Sequence, residues 1–292
     1  MHRSFIALCG VLGWLCFGSP AMAAEPLLPF VTQTAGGYEL VLLSEGDAAA
    51  STDILLDAGP ELLREVAPYG TYPGAINVFL LRGKDRNILI DTGFGTTLFS
   101  DLERLGMTPA DIDAVLLTHM HPDHIGGLMR DGTAAFPRAE LFVAKQERAY
   151  WTDPANTGEA FGGVRQVLAA YEGRVQVFSP GPLEQMEEVL PEVRAGAAFG
   201  HTPGHTVFLA GALDSHVLVW GDVTHAMAVQ MPAPQVAVVY DVDPEAAVAS
   251  RMNVLRYAAG RGIIVTGMHI PSPAFGVLSN NGQGGFVFTP VR

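Results

Sequence analysis

At 292 residues, 49% hydrophobic and 16% charged, the chain carries enough apolar side chain for a sizeable core, which excludes a disordered or fibrous protein. A formal net charge of −13 argues against nucleic acids and anionic membranes as partners, since both call for basic patches. The two cysteines are Cys9 and Cys16, so nothing beyond residue 16 can form a disulfide or offer a thiolate.

Arg3 precedes an apolar run from Phe5 to Phe17, which Pro20 breaks and Ala21-Met22-Ala23 follows. This is the pattern of a signal peptide over 1–23, cut after Ala23. It predicts a periplasmic or secreted protein with no membrane span in its mature form, and one domain over 24–292. Leu27-Leu28-Pro29-Phe30 then offers an apolar arm for a homodimer.

Further along, alternating or continuous apolar runs predict strands at 38–43, 77–81, 87–90 and 114–117. More follow at 140–144, 175–178, 193–197, 206–212, 216–220, 236–240, 263–266 and 286–291. Residues 55–66 read as a loop and short helix, and 96–105 as a helix. A longer helix is predicted over 244–259, with Asp243 as N-cap, Pro244 at the first position and Gly260 at the end. Many short strands with interspersed helices predict an α/β protein of two packed sheets flanked by helices.

Nine histidines occur, and the clustering of His119, His121, His124, His205 and His269 near an Asp or Gly in loop-like settings is not that of core packing. Thr118-His119-Met120-His121-Pro122-Asp123-His124 follows the apolar strand 114–117. Residues two apart in extended chain point the same way, so His119 and His121 can face one metal while Met120 faces the core. Pro122 turns the chain, and Asp123 and His124 address a neighbouring position. Three further pieces each follow or precede a strand: His201-Thr202-Pro203-Gly204-His205, Gly221-Asp222 and Gly267-Met268-His269. Imidazoles with a few carboxylates suit zinc.

His-x-His-x-Asp-His followed by a His, an Asp and a His resembles the metallo-β-lactamase-fold superfamily. Asp91-Thr92-Gly93 after the strand 87–90 resembles that family's first motif. The resemblance implies a four-layer αβ/βα sandwich with its site at the sheet edges. It also implies a metal-dependent hydrolase with two zinc ions per chain, other divalent metals being alternatives. It assigns His119, His121 and His205 to the first metal, Asp123, His124 and His269 to the second, and Asp222 to both. Asp123 and Asp222 take the catalytic roles, and a hydroxide shared by the two ions is the implied nucleophile. Asp91 either steadies a ligand imidazole from outside or caps a turn, and His201 reads as a loop-stabilising residue.

Thr118 to Met129, Gly200 to Thr206 and Ala228-Val229-Gln230 after Asp222 are most similar to the methyl parathion hydrolase branch of that superfamily. This implies a small-molecule lactone, aryl ester or phosphotriester as substrate. Trp151 and Phe161 match pocket aromatics of the branch, with Phe275 as a further wall. His225 stands where organophosphate-specialised members carry an apolar residue, which favours a lactone or ester. Rival expectations are a zinc β-lactamase, a glyoxalase II-like thioesterase, an iron-dependent sulfur dioxygenase and a metal-stabilised binding protein. One lactamase class needs a Cys ligand, and another lacks the bridging Asp that Asp222 supplies here.

Overall fold

The computed structural model describes residues 30–212 and 215–291. The signal segment 1–23 and the arm up to Pro29 lie outside the described residues.

Two seven-stranded sheets form the centre. The first runs in the order Thr32–Ala35, Tyr38–Ser51, Thr71–Arg82, Asn87–Ile90, Ala114–Leu116, Glu140–Ala144, Val175–Phe178. The second runs Glu187–Leu190, Val193–Ala197, Thr206–Ala212, Ser215–Val219, Ile264–Thr266, Gly276–Asn280, Phe286–Pro290. Strands of the first sheet are apolar on both faces, and the pleat sorts their side chains between two cores. Leu40, Leu42, Phe79, Leu81, Ile88, Ile90 and Leu116 join the cluster shared with the second sheet. Val41, Leu43, Val78, Leu80, Leu89 and Val115 join a second cluster with Leu98, Leu102, Val164 and Val167 from the outer helices. On the far side Val254, Leu255 and Ala258 of the helix Pro244–Arg261 pack onto the second sheet. The result is the four-layer αβ/βα sandwich that the family resemblance implied.

The helix Pro244–Arg261 begins as expected, with Asp243 accepting from the Ala246 N–H at 3.0 Å. It ends at Gly262 in the left-handed region, two residues later than predicted. Among the described residues no helix is long and apolar enough to cross a membrane.

Several elements differ from expectation. The strand predicted over 38–43 continues to Ser51 and pairs with Thr71–Arg82 throughout, with a register shift between Ser44 and Gly46. The segment Ser44-Glu-Gly-Asp-Ala-Ala-Ala-Ser51 has weak strand propensity, and cross-strand pairing overrides it. The strand predicted over 236–240 shrinks to Ala237–Val238, paired with Leu55–Leu56. Helices at Lys145–Thr152 and Glu159–Ala170 and strands at Glu187–Leu190 and Gly276–Asn280 went unpredicted.

The topology explains where the histidines go. Asn87–Ile90, Ala114–Leu116 and Glu140–Ala144 are parallel, as are Ser215–Val219 and Ile264–Thr266. Their carboxyl ends lead into Asp91, the 118–124 loop, Asp222 and His269, and carboxyl strand ends are where α/β sheets place ligands. Thr206–Ala212 runs antiparallel to Ser215–Val219, which brings the loop before it, 200–205, to the same edge.

Candidate metal centre

Met120 is fully buried in the helix-side core, so its neighbours His119 and His121 turn together toward the sheet edge. His121 is still extended, with φ −68° and ψ 156°. Pro122 then starts a one-turn helix, Pro122–Ile125, that carries Asp123 and His124. That turn sits tightly on the loop after Asp91: a Cβ on Gly127 would lie 2.6 Å from the Thr92 carbonyl oxygen. Opposite, Gly221 adopts φ +59°, and a Cβ there would lie 2.6 Å from His205 Nε2. Glycine at 221 is what lets the chain turn Asp222 into the site.

Among the described residues two groups of potential metal ligands result. His119, His121, His201 and Asp222 form one, and Asp123, His124, Asp222 and His269 form the other. Ligand atoms within each lie within 4.8 Å of one another. Asp222 belongs to both: its Oδ2 is 3.3 Å from His201 Nε2 and 3.1 Å from His269 Nε2, while Oδ1 is 3.2 Å from His124 Nε2.

His205, expected in the first group, is not there. Its Nε2 accepts from the Asp222 backbone N–H at 2.9 Å, and its Nδ1 donates to the Ala198 carbonyl at 3.1 Å. Both ring nitrogens are engaged, so no lone pair is left for a cation. His201 takes its place, with Nε2 3.0 Å from His121 Nδ1 and 3.2 Å from His119 Nε2. Asp241, which the sequence did not single out, holds the other side of that ring at 2.8 Å. The buried Arg251 steadies the same region through the Val223, Pro234 and Val236 carbonyls.

Asp91 is fully buried with φ +57°. It accepts from the Thr118 N–H at 2.8 Å and the Thr118 hydroxyl at 2.6 Å, and lies 2.6 Å from His124 Nδ1. That geometry turns His124 Nε2 toward Asp222, as outer carboxylates do for ligand imidazoles. His269 is set the same way by the Ala75 carbonyl, 3.0 Å from Nδ1.

The donor set fits divalent cations. His119 Nε2, His121 Nδ1 and His201 Nε2 form a triangle with sides of 3.0–3.2 Å. Hydrogen bonds cannot satisfy three such converging nitrogens at once, whereas one electrophile can. His124 Nε2 and Asp222 Oδ1 are buried and face each other without hydrogen-bond geometry. Burial together with the facing His201 pushes His121 down to about 3. Burial works the same way on His201, but hydrogen bonds to Asp222 and Asp241 outweigh it and raise that ring to about 9. Burial opposes the charge of Asp222, yet the surrounding imidazoles, His124 foremost, hold it well below the carboxylate range.

Two histidines outside both groups give a pH prediction for the chelated protein. Burial pushes His205 down to about 3 and His225 to about 4, from 6.5. A base whose folded pKa is depressed leaves the native state with fewer bound protons than the unfolded chain. The associated stability is present above about 6.5 and lost as pH falls toward 4. Melting temperature should therefore decline across that window, and less steeply in His225→Gln.

A cavity of about 600 Å³ opens over the ligands, and His121, Asp123, His225 and His269 line it. Trp151 and Phe161, expected in its wall, do not. Trp151 is buried behind the His121 ring at 5.7 Å and packs against Phe161 at 4.7 Å with the rings tilted by 42°. Phe275 is core, against Phe79. The wall comes instead from the extended hairpin. Gly46, Ala48 and Ala50 on one strand and Tyr72, Gly74 and Ile76 on the other all line the cavity. They face one another as the register pairs Gly46–Ile76, Ala48–Gly74 and Ala50–Tyr72.

The family model of the metallo-beta-lactamase superfamily matches residues 71–267, a span that holds every ligand candidate but His269. The chain belongs to the metallo-β-lactamase superfamily. The N-acyl homoserine lactonase AttM of Agrobacterium fabrum is 26% identical over 170 residues, 56% of this chain and 57% of that protein. The match thus spans little more than half of that relative's length. Among solved structures, the hydrolase AbOPH of the beta lactamase superfamily is similar at a TM-score of 0.82 and 25% identity, covering 92% of this chain and 99% of that one. AidC, a dizinc quorum-quenching lactonase, shares the fold at a TM-score of 0.80 and 24% identity, covering 90% and 97%.

Proposed function

We propose that this superfamily hydrolase holds two zinc ions and cleaves a lactone or related ester that carries an apolar arm. His119, His121 and His201 would hold one ion, Asp123, His124 and His269 the other, and Asp222 both. The observation that carries the reading is the sharing of Asp222 between two ligand groups under a single cavity. When bound, two such cations supply Lewis acidity and bring the pKa of a water down to about 7. Asp123 lines the cavity, where its carboxylate would help hold the second ion and orient a water beside it. His225 donates from Nε2 to Asp222 Oδ2 at 3.0 Å, which keeps the shared carboxylate in place and sets a polar edge on the cavity. The hairpin wall and Phe94 exclude water from the remainder and favour an apolar substituent. The signal segment adds an export route, so the proposed setting is the periplasm or the exterior.

The test is a panel of a lactone, an aryl ester, a phosphotriester and nitrocefin, run on protein whose metal content is counted. Two zinc ions per chain and fastest turnover of the lactone are expected. Fewer than two ions, or nitrocefin or the phosphotriester as the best substrate, would overturn the reading.

The wall carries its own prediction. A Cβ on Gly74 would meet the Ala50 Cβ only at 3.5 Å, so a side chain fits there without backbone strain. Gly74→Leu should leave a short-chain ester unaffected and cut kcat/KM for a long-chain one about tenfold or more, since losing contact for two methylenes costs roughly 1.6 kcal/mol.

A further inference from the structure

Glu147 is buried and lies outside both ligand groups and outside the cavity lining. It sits in the helix Lys145–Thr152, just past the strand Glu140–Ala144. Its Oε1 accepts from the Met120 N–H at 2.8 Å and from Trp151 Nε1–H at 2.6 Å. Its Oε2 accepts from the Thr202 hydroxyl at 2.6 Å and from the Gly204 N–H at 3.0 Å. Four donors use all four acceptor positions of an ionised carboxylate. Met120 lies between His119 and His121, and Thr202 follows His201. The loop carrying two of these ligands leaves the first sheet, and the loop carrying the third enters the second sheet. Gly204 lies so close to Glu147 that a Cβ there would collide with the Glu147 backbone nitrogen.

We propose that Glu147 is a positioning residue for one of the two metal sites, holding His201 in register with His119 and His121. The second group is set by other means: Asp91 orients His124, and the Ala75 carbonyl orients His269. Glu147 therefore tunes affinity at the first site and leaves the second alone. Glutamine has the same shape but turns an NH2 toward one pair of donors, which breaks the arrangement on whichever side it faces.

This inference rests on the two-metal reading above, and its experiment separates the two. The full protein, wild type and Glu147→Gln, is loaded with zinc and dialysed against graded chelator, with ions per chain counted at each step. The variant is expected to release one ion at about 10–100-fold lower chelator strength than wild type, the range for lost outer partners of a metal ligand. Its second ion should leave at the wild-type concentration. Should the variant not fold, Thr202→Val, which deletes one donor, is expected to show a smaller shift in the same single step. Simultaneous loss of both ions, or an unshifted curve in a folded variant, would overturn the positioning role. Fewer than two ions in wild type would instead overturn the reading on which it rests.

Discussion

Replacing Asp222 with alanine should remove zinc from both ligand groups and lower hydrolysis by more than about 100-fold, beyond what loss of an outer partner costs. Asp222 is the one carboxylate that both groups share. The metal-free protein should suffer as well. Its carboxylate faces His119, His124, His201, His225 and His269 within 3.7 Å. Burial works against charge on His124, yet Asp222, Asp123 and Asp91 together raise that imidazole well above its ordinary value. Removing one partner of a buried charge pair costs about 3–5 kcal/mol. A chelated Asp222→Ala sample should therefore melt several degrees below chelated wild type. If the variant kept two ions per chain and most of its turnover, the shared-ligand assignment would be wrong.

The second large effect is a contrast between neighbours. His201→Ala should drop bound zinc from two ions to one and take hydrolysis down more than about 100-fold. His205→Ala should keep the metal count. Its cost appears in stability, because the Asp222 N–H and the Ala198 carbonyl lose their partner, and a buried unsatisfied group costs roughly 1–3 kcal/mol. Counting metal and measuring denaturation midpoints on the two variants decides between the rings. Retained stoichiometry in His201→Ala, with loss in His205→Ala, would restore the assignment read from the motif.

That pair also marks where the sequence stops being informative. The motif His201-Thr-Pro-Gly-His205 contains two imidazoles, and spacing alone does not choose between them. The choice depends on the Asp222 N–H, a backbone group whose direction follows from the left-handed turn at Gly221. Asp241 and Glu147 were invisible for a related reason. Each reaches its partner from a distant part of the chain, His201 for Asp241 and the 202–204 loop for Glu147, and a lone acid in a helix or loop carries no pattern. By contrast, the 119–124 run, Asp222 and His269 were legible, because a ligand just past an apolar strand leaves a local signature. The two sheets were legible too, from short apolar runs. The cavity wall was not, since Ala48, Ala50 and Gly74 look like loop residues until they are paired.

The ligands are spread from His119 to His269, and the two sheets supply them in turn. A chain emerging from synthesis folds its early part first. With the first sheet complete, it presents His119, His121, Asp123 and His124 without the residues that close either coordination shell. The rest arrive only when Thr206–Ala212, Ser215–Val219 and Ile264–Thr266 have paired. On the two-metal reading, tight capture of metal would be among the last events in maturation, and the ions would act as a clasp fastened across two finished halves. In a chain whose cysteines end at residue 16, that late clasp would do the work that a disulfide does elsewhere, and a chelator would undo it.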